Sequence, residues 1–225
     1  MSDFNPATAT GVPAPTPTYR LIPSRFPPVQ AFDMAESADD LQAILDLEGW
    51  TNDRLSGPRL HRLPEREWVF GRANASVIMA AFLHGSPKGL RFSCPYLGAW
   101  YASSRLETAM LEILNGLRGE LASSSLTSLT QEYREYTAEL NGSFVDIRGG
   151  FSELHDPDVA CYPMTQAFGE DVRASTFAGI AYNSVRDPDG ENWVAYHPSK
   201  ILSVTQARHY RIVLRSTGKV FVEQI

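Results

Sequence analysis

Lysine and cysteine are both scarce in this chain of 225 residues. Only three of its 20 basic residues are lysines, and the rest are arginines. An arginine excess fits a genome rich in G and C as well as it fits an anion site, so only individual arginines can point to a site. The two cysteines, Cys94 and Cys161, form neither a C-x-x-C pair nor a cluster with histidine. This pattern argues against a disulfide framework, and we expect no metal site.

Long apolar runs and an excess of positive charge are also missing. The sequence contains no apolar run long enough to cross a membrane, and its N-terminus has no basic start followed by an apolar stretch. We therefore expect no membrane-spanning helix, no secretory signal and a cytoplasmic location. The net charge of −6 argues against direct binding of nucleic acid or an anionic membrane, since both demand a broad basic surface. The glycine-rich phosphate loops of the common nucleotide-binding folds are absent as well.

The composition predicts one compact domain behind a tail. Residues 1–18 are rich in Pro, Ala and Thr and have almost nothing to bury, so we expect them to be disordered or extended. An apolar fraction of 43% in the whole chain is enough for a hydrophobic core, which we expect within residues 19–225.

Apolar residues spaced three or four apart predict two to four helices. Ser37 with Asp40, and Ser104 with Glu107 in an S-x-x-E capping box, are signals for the starts of two of them. We expect the helices over 38–48, after Ser104 and over 163–173. The apolar run 77–83 is too short for its period to distinguish helix from strand, and we interpret it as a helix. The buried stripe of the helix after Ser104 is predicted to consist of Leu106, Met110, Ile113, Leu114 and Leu117.

Short runs of β-forming residues between turn signals predict the strands. A strand following Gly89 would carry Arg91. Asn141–Gly142 lies between two alternating runs and predicts a two-residue hairpin turn that joins 136–140 to 143–147. Further strands are expected at 19–22, 99–102, 179–182, 193–196, 209–215 and 219–223. Mostly antiparallel short strands with a few helices make an α+β fold.

One block of sequence, GLRFSCPYLGAWYASSRLETAMLEI, resembles the core of the RES domain family. It has a Gly-x-Arg-aromatic start at Arg91 and a tyrosine ten residues later at Tyr101. A helix with Ala109 and Glu112 follows, as in the family.

A later block, GIAYNSVRDPDGENWVAYHP, is similar to a second part of the same family. The family's serine falls at Ser184 and its asparagine at Asn192. The opening Tyr19-Arg20-Leu21 also looks like the usual first strand of the family. The order and spacing of the blocks together make the resemblance fairly specific.

The resemblance implies a toxin of a two-gene toxin–antitoxin module, with a fold similar to the NAD-binding core of ADP-ribosyltransferase toxins. NAD+ is the implied substrate, and its ADP-ribose would pass to water, to phosphate or to a target protein. The implied partner is an Xre-like helical antitoxin that blocks the pocket. Residues 19–225 would form this single catalytic domain, and the helical and loop segment around 35–85 would be additional to the compact members.

The reaction that the resemblance implies gives each matched residue a role. Glu112 would stabilise the positive charge that grows on the ribose as nicotinamide leaves. Arg91 and, as a second candidate, Arg20 would hold the pyrophosphate through paired donors. Tyr101 would offer its ring to the nicotinamide. Ser184 would bond the ribose or orient Glu112.

Each of these residues also has an ordinary structural interpretation. Glu112 would then be a solvated helix residue, Arg91 a member of a surface ion pair, Tyr101 a core aromatic and Ser184 a turn residue. The competing hypothesis for the whole chain is a non-catalytic α+β interaction module that binds a helical partner protein. Convergence of the four side chains on one concave pocket favours the enzyme, whereas scattered positions favour the module.

Overall fold

A computed structural model describes residues 9–25, 30–49 and 57–225 of the chain. Its strands are Gly11–Val12 (β1), Thr18–Pro23 (β2), Trp100–Ser103 (β3), Ser128–Leu140 (β4), Phe144–Asp146 (β5), Gly179–Asn183 (β6), Glu191–Ala195 (β7), Ile201–Arg215 (β8) and Val220–Gln224 (β9). The α-helices of the described ranges are Ala31–Met34 (α1), Ala38–Gly49 (α2), Gly57–Leu60 (α3), Ala75–Leu83 (α4), Leu106–Ala122 (α5) and Tyr162–Arg173 (α6). The fold is therefore α+β. Within these ranges, no helix combines the length and the apolar character needed to cross a membrane.

The strands form one sheet in the order β1-β5-β6-β7-β3-β2-β4-β8-β9. Every neighbouring pair is antiparallel except β5 and β6, which run parallel. β2 and β3 pair at a single position, Tyr19 with Ser103. Each of them pairs over several residues with its other neighbour. The sheet is therefore weakly joined between β2 and β3, and two better-paired halves meet there.

Helices cover both faces of the sheet because its side chains alternate between the two faces. On one face, Trp100 and Trp193 pack in a core with α1, α2 and α4. On the other face, α6 packs over β5, β6 and β7, and α5 packs over β2, β4 and β8. Tyr101 belongs to this second face, next to Trp100 on the first. Consequently β3 passes between α5 and α6 in the middle of the sheet.

The longer helices lie where the sequence predicted them, and the start signal was correct for α2. Ser37 caps α2, because its hydroxyl oxygen accepts the backbone N–H of Asp40 at 3.1 Å. The helices expected over 77–83 and 163–173 are α4 and α6, which begin two and one residues earlier. The strands expected from residue 179 onward are all present, with β8 longer than predicted.

The hairpin predicted at Asn141–Gly142 is wrong. A type I′ turn needs positive φ at both positions, and only Gly142 has one, at 120°. The N–H of Asn141 bonds to the carbonyl of Lys200 instead, at 2.8 Å. β4 already has neighbours on both sides, β2 and β8, so the chain leaves it and joins the far end of the sheet as β5.

The capping box predicted at Ser104 and Glu107 is also wrong, although the helix behind it is correct. α5 begins at Leu106 with no side-chain cap, and the Ser104 hydroxyl donates to the carbonyl of Glu191 on β7. The fully buried side of α5 also differs from the predicted stripe, since Leu106, Met110 and Ile113 are only partly buried. The buried residues are Thr108, Ala109, Leu114, Leu117 and Leu121.

The expected tail is shorter than predicted. Gly11–Val12 pairs with β5, and Thr18 is fully buried with its hydroxyl donating to the carbonyl of Ala138 at 2.9 Å. Residues 9–18 are thus part of the sheet or lead into it, because the open edge of β5 and a pocket for one small side chain accept them. The first eight residues, and the 50–56 part of the predicted connection, lie outside the described ranges.

A substitution at Gly179 tests how closely β6 approaches β7. A Cβ at this position would overlap the carbonyl oxygen of Val194, which is backbone and cannot move aside. We expect Gly179→Ala to lower the free energy of unfolding by about 2–3 kcal/mol, measured by urea denaturation. Gly119→Ala is the matched control, because Gly119 lies in α5 with nothing near its added Cβ. In the control, the free energy of unfolding should rise by about 0.5–1 kcal/mol, because alanine has a higher helix propensity than glycine. Equal stabilities of the two variants would contradict the packing described.

Candidate functional site

A cavity of about 380 Å³ lies beside β3 and α5 and brings the sequence-predicted residues together. Arg20, Arg91, Tyr101 and Glu112 line it, and Ser184 bonds to Glu112 from behind the wall. This volume falls within the range of small-molecule sites. The positions therefore converge rather than scatter, which is the arrangement expected of an enzyme and not required of an interaction module.

The Glu112 carboxylate is held by two donors on one oxygen. Its Oε1 accepts the hydroxyl of Ser184 at 2.7 Å and the side-chain amide of Asn192 at 2.8 Å. Its Oε2 has no hydrogen-bond partner among the described residues. One edge of the carboxylate is thus fixed to the protein, and the other edge remains available to a ligand in the cavity. Of the two roles considered for Ser184, the structure shows the contact that orients Glu112.

Asn192 is positioned by the register of the sheet. It lies opposite Ser103 in the β3–β7 pair and is 2% exposed. Its side-chain oxygen accepts the Ser103 hydroxyl at 2.6 Å, which leaves the amide group to donate to Glu112. The sequence comparison placed Asn192 in a family block without a role, and the register supplies that role.

The turn that follows Ser184 orients its hydroxyl group as a hydrogen-bond donor. Its oxygen accepts the backbone N–H groups of Arg186 and Asp187, each at 3.0 Å, so its own proton is directed to Glu112. Asp187 in turn accepts the Thr108 hydroxyl at 2.6 Å and the Arg105 guanidinium at 2.9 Å. These bonds tie the turn to the start of α5, the helix that carries Glu112.

Sequence reasoning missed Thr108 and Asp187 as supporting residues. The Thr108 hydroxyl, and then the Arg105 guanidinium, hold the pKa of the Asp187 carboxyl below its ordinary value. One signal was present in the sequence, because Thr108 lies four positions before Glu112 and therefore on the same side of a helix. No comparable sequence signal pointed to its partner Asp187.

Arg91 lies in a tight turn and not on the predicted strand. Leu90 and Ser93 bond to each other through their backbones, and Arg91 lies between them. The turn is attached to α6, because the Arg91 carbonyl accepts the hydroxyl of Thr165. The Arg91 side chain is only 7% exposed.

The guanidinium of Arg91 is directed into the cavity wall. Its Nη1 donates to the carbonyl of Leu154 at 3.1 Å and to the sulfur of Cys161 at 3.3 Å. The Tyr162 ring lies 5.7 Å from the guanidinium carbon. Within the described ranges no carboxylate pairs with Arg91, so the ordinary interpretation as a surface ion pair does not hold. The remaining guanidinium nitrogens have no partner there and suit an anion.

Tyr101 lies on β3 with its hydroxyl already bonded. The oxygen accepts the backbone N–H of Phe92 at 3.0 Å and is 3.1 Å from the Ser93 hydroxyl. Burial raises the pKa of this phenol to about 12, so it is neutral at physiological pH. With the hydroxyl engaged, the ring face is what Tyr101 offers to a ligand.

Arg20 lies where β2 and β3 diverge. Its Nη1 donates to the Tyr101 carbonyl at 2.8 Å, and its guanidinium carbon is 4.8 Å from the Trp100 ring centre. Burial lowers the pKa of Arg20 to about 10, which still leaves it charged at neutral pH. Its Nε is buried without a hydrogen-bond partner among the described residues.

The arrangement suits a ligand that is anionic in one part and develops positive charge in another. Arg20 and Arg91 in the lining suit the first part, and the free oxygen of the Glu112 carboxylate suits the second. In the described part of the chain, no three His, Cys, Asp or Glu side chains are grouped so that they could hold a metal ion.

Comparison with known proteins links these residues to one family. The family model of the RES domain matches residues 59–215, well over half of the chain. This range includes Arg91, Tyr101, Glu112 and Ser184, while Arg20 precedes it. It also includes residues 59–85, the second half of the segment that the sequence analysis set apart as additional.

A relative covers nearly the same length. The chain is 26% identical over 209 residues to the uncharacterized protein y4oC of Sinorhizobium fredii (strain NBRC 101917 / NGR234). The alignment spans 88% of this chain and 83% of the relative.

Asp187 gives the site a testable pH dependence. A carboxyl whose pKa is lowered by folding stabilises the fold above its unfolded pKa, and that contribution is lost as the pH falls through the folded pKa. We therefore expect Asp187→Asn to be less stable than the wild type at neutral pH, with the difference shrinking below about pH 4. Urea denaturation across this pH range measures it. Asp189→Asn, an exposed neighbour in the same turn, is the control and should match the wild type throughout.

Proposed function

The chain belongs to the RES domain family, and on that basis we propose that it cleaves the nicotinamide–ribose bond of NAD+. The observation that supports this most is the Glu112 carboxylate, held by Ser184 and Asn192 in a cavity that it shares with Arg91 and Tyr101. The ADP-ribose is passed to water, to phosphate or to a protein. The chain would thus act as an NAD+ glycohydrolase, a phosphorylase or an ADP-ribosyltransferase.

The chemistry requires one well-placed negative charge. As the bond breaks, its electron pair goes to nicotinamide, which leaves as a neutral pyridine, and positive charge develops on the ribose. Glu112 Oε2 faces this charge and accepts a ribose hydroxyl, because Oε1 is occupied by Ser184 and Asn192. The acceptor then bonds to the anomeric carbon and loses its proton. A carboxylate that is already oriented needs no rearrangement during the reaction, which is where electrostatic stabilisation is largest.

Two further residues position the substrate in this proposal. The ring of Tyr101 stacks on the nicotinamide, a contact that contributes on the order of 1–3 kcal/mol in comparable base–aromatic pairs. Its hydroxyl cannot compete for the ligand because Phe92 and Ser93 engage it. Arg91 holds phosphate with the guanidinium nitrogens that its bonds to Leu154 and Cys161 leave over.

The biological setting that we propose is that of a toxin in a toxin–antitoxin module, in the cytoplasm. An Xre-like helical antitoxin would be the partner, and it would act by covering the mouth of the cavity. This proposal rests on the resemblance to the RES family alone.

The role of Glu112 is tested with purified protein and NAD+. We expect Glu112→Gln to lower kcat for nicotinamide release by about 10²–10³-fold, since glutamine keeps an oxygen for Ser184 and Asn192 but loses the charge. Chromatography of free nicotinamide measures the rate, and circular dichroism checks the fold. Glu107→Gln, exposed on the same helix, is the matched control and should keep wild-type turnover. Wild-type turnover in Glu112→Gln would refute the assignment.

The role of Arg91 is tested by a change that keeps its charge. Arg91→Lys should raise KM for NAD+ about tenfold, because an ammonium cannot bond the cavity wall and a phosphate in the same fork geometry. Steady-state nicotinamide release measures KM. Arg118→Lys, exposed on α5, is the control. An unchanged KM in Arg91→Lys would mean that a residue other than Arg91 contacts the phosphate.

A further inference from the structure

A second cavity, of about 490 Å³, lies on the other side of Arg20. Its apolar floor is formed mainly by α4, through Val77 and Ala80, and by β2, through Leu21 and Ile22, with Phe32 of α1 beside them. Its polar lining is basic or neutral and includes Arg20, Arg59, Ser76, His84 and Arg134. No carboxylate belongs to the described lining. A cavity of this kind fits a ligand with a flat apolar group and an anionic group.

The hydroxyl of Ser76 and Nε of Arg20, which belong to residues of this lining, are buried without a hydrogen-bond partner among the described residues. The backbone N–H of Ser76 is bonded to Asp33 at 3.0 Å, so only its side chain is unsatisfied. Buried polar groups in native proteins are nearly always paired, and unpaired ones call for a bound partner. The residues that carry these two atoms, Ser76 and Arg20, line the same cavity.

The two cavities meet where β2 and β3 are joined by a single residue pair. Arg20, Leu21 and Leu90 line both of them. Arg20 and Leu21 follow Tyr19, the only residue at which β2 pairs with β3. A guanidinium therefore lies between two ligand-sized spaces, where the strands have separated.

We infer that the second cavity binds the adenylate half of the dinucleotide whose nicotinamide ribose lies at Glu112. NAD+ consists of two nucleosides joined by an anionic pyrophosphate, and this chain offers two cavities joined at a cationic side chain. Adenine lies on the apolar floor, and Arg20 contacts the pyrophosphate between the cavities. The inference rests on the proposed function for the identity of the ligand.

The catalytic test compares two substrates in a variant that fills the second cavity. Ala80 is partly exposed on α4 and lines this cavity alone, so Ala80→Phe places an aromatic ring in it. We expect kcat/KM for NAD+ to fall about tenfold or more, while kcat/KM for nicotinamide mononucleotide, which lacks the adenylate, stays unchanged. Ala122→Phe, at the exposed end of α5, is the matched control and should treat both substrates as the wild type does.

A competition in the wild type removes the dependence on how the variant folds. Adenosine should compete with NAD+ and leave cleavage of nicotinamide mononucleotide unaffected. Equal loss for both substrates in a folded Ala80→Phe, no loss for either, or adenosine inhibition of both would overturn the inference.

A binding measurement separates this inference from the proposed function. In titration calorimetry with AMP, the wild type and Ala122→Phe should bind, and Ala80→Phe should lose binding. If the wild type releases nicotinamide from neither substrate, the proposed function fails, and AMP binding that Ala80→Phe abolishes still supports an adenylate site. If the wild type does not bind AMP, the second cavity is not such a site.

Discussion

The hydrogen bonds that Ser184 and Asn192 donate to one oxygen of Glu112 are the interaction on which the candidate site depends. They join α5 to the β6–β7 region, and each bond to a charged acceptor is worth on the order of 1.5–3 kcal/mol. Because both donors converge on Oε1, they also set which oxygen faces the cavity. A carboxylate with only one of these partners could rotate and would lose that direction.

Neighbouring hydrogen bonds also hold the Glu112 carboxylate in its orientation. Ser103 holds Asn192 from the neighbouring strand, and the turn after Ser184 is tied by Asp187 to Thr108 on α5. Thr108 and Glu112 lie one helical turn apart, so α5 is attached at two successive levels. The result is a carboxylate whose position depends on the sheet register at Asn192 and on the turn after Ser184. This is how a site is held when its charge must be oriented before the substrate arrives.

The region where β2 diverges from β3 differs from the well-bonded surroundings of Glu112, because the two strands have little backbone pairing there. Only Tyr19 and Ser103 pair, and the Arg20 guanidinium bonds to the Tyr101 carbonyl in the space beyond them. Burial lowers the pKa of Arg20, so keeping this cation in place costs stability. Strand separation and a buried cation are both unfavourable for folding, and they occur together where the two cavities meet.

The α+β class and the longer helices were predictable from the sequence, and so was the convergence of Arg91, Tyr101 and Glu112 on one cavity. The helices were predictable because apolar spacing acts within a few residues, and the convergence was predictable because these residues follow a family pattern. Three features could not be predicted: the chain crosses the sheet after Asn141, Arg91 lies in a turn, and Thr108 and Asp187 support the carboxylate. All three depend on contacts between residues far apart in the chain, which local sequence signals do not report. An Asn-Gly pair gives a hairpin only if the strand before it has a free edge, and β4 already lies between β2 and β8. An S-x-x-E sequence gives a helix cap only if the serine hydroxyl is free, and the Ser104 hydroxyl donates to Glu191 on β7.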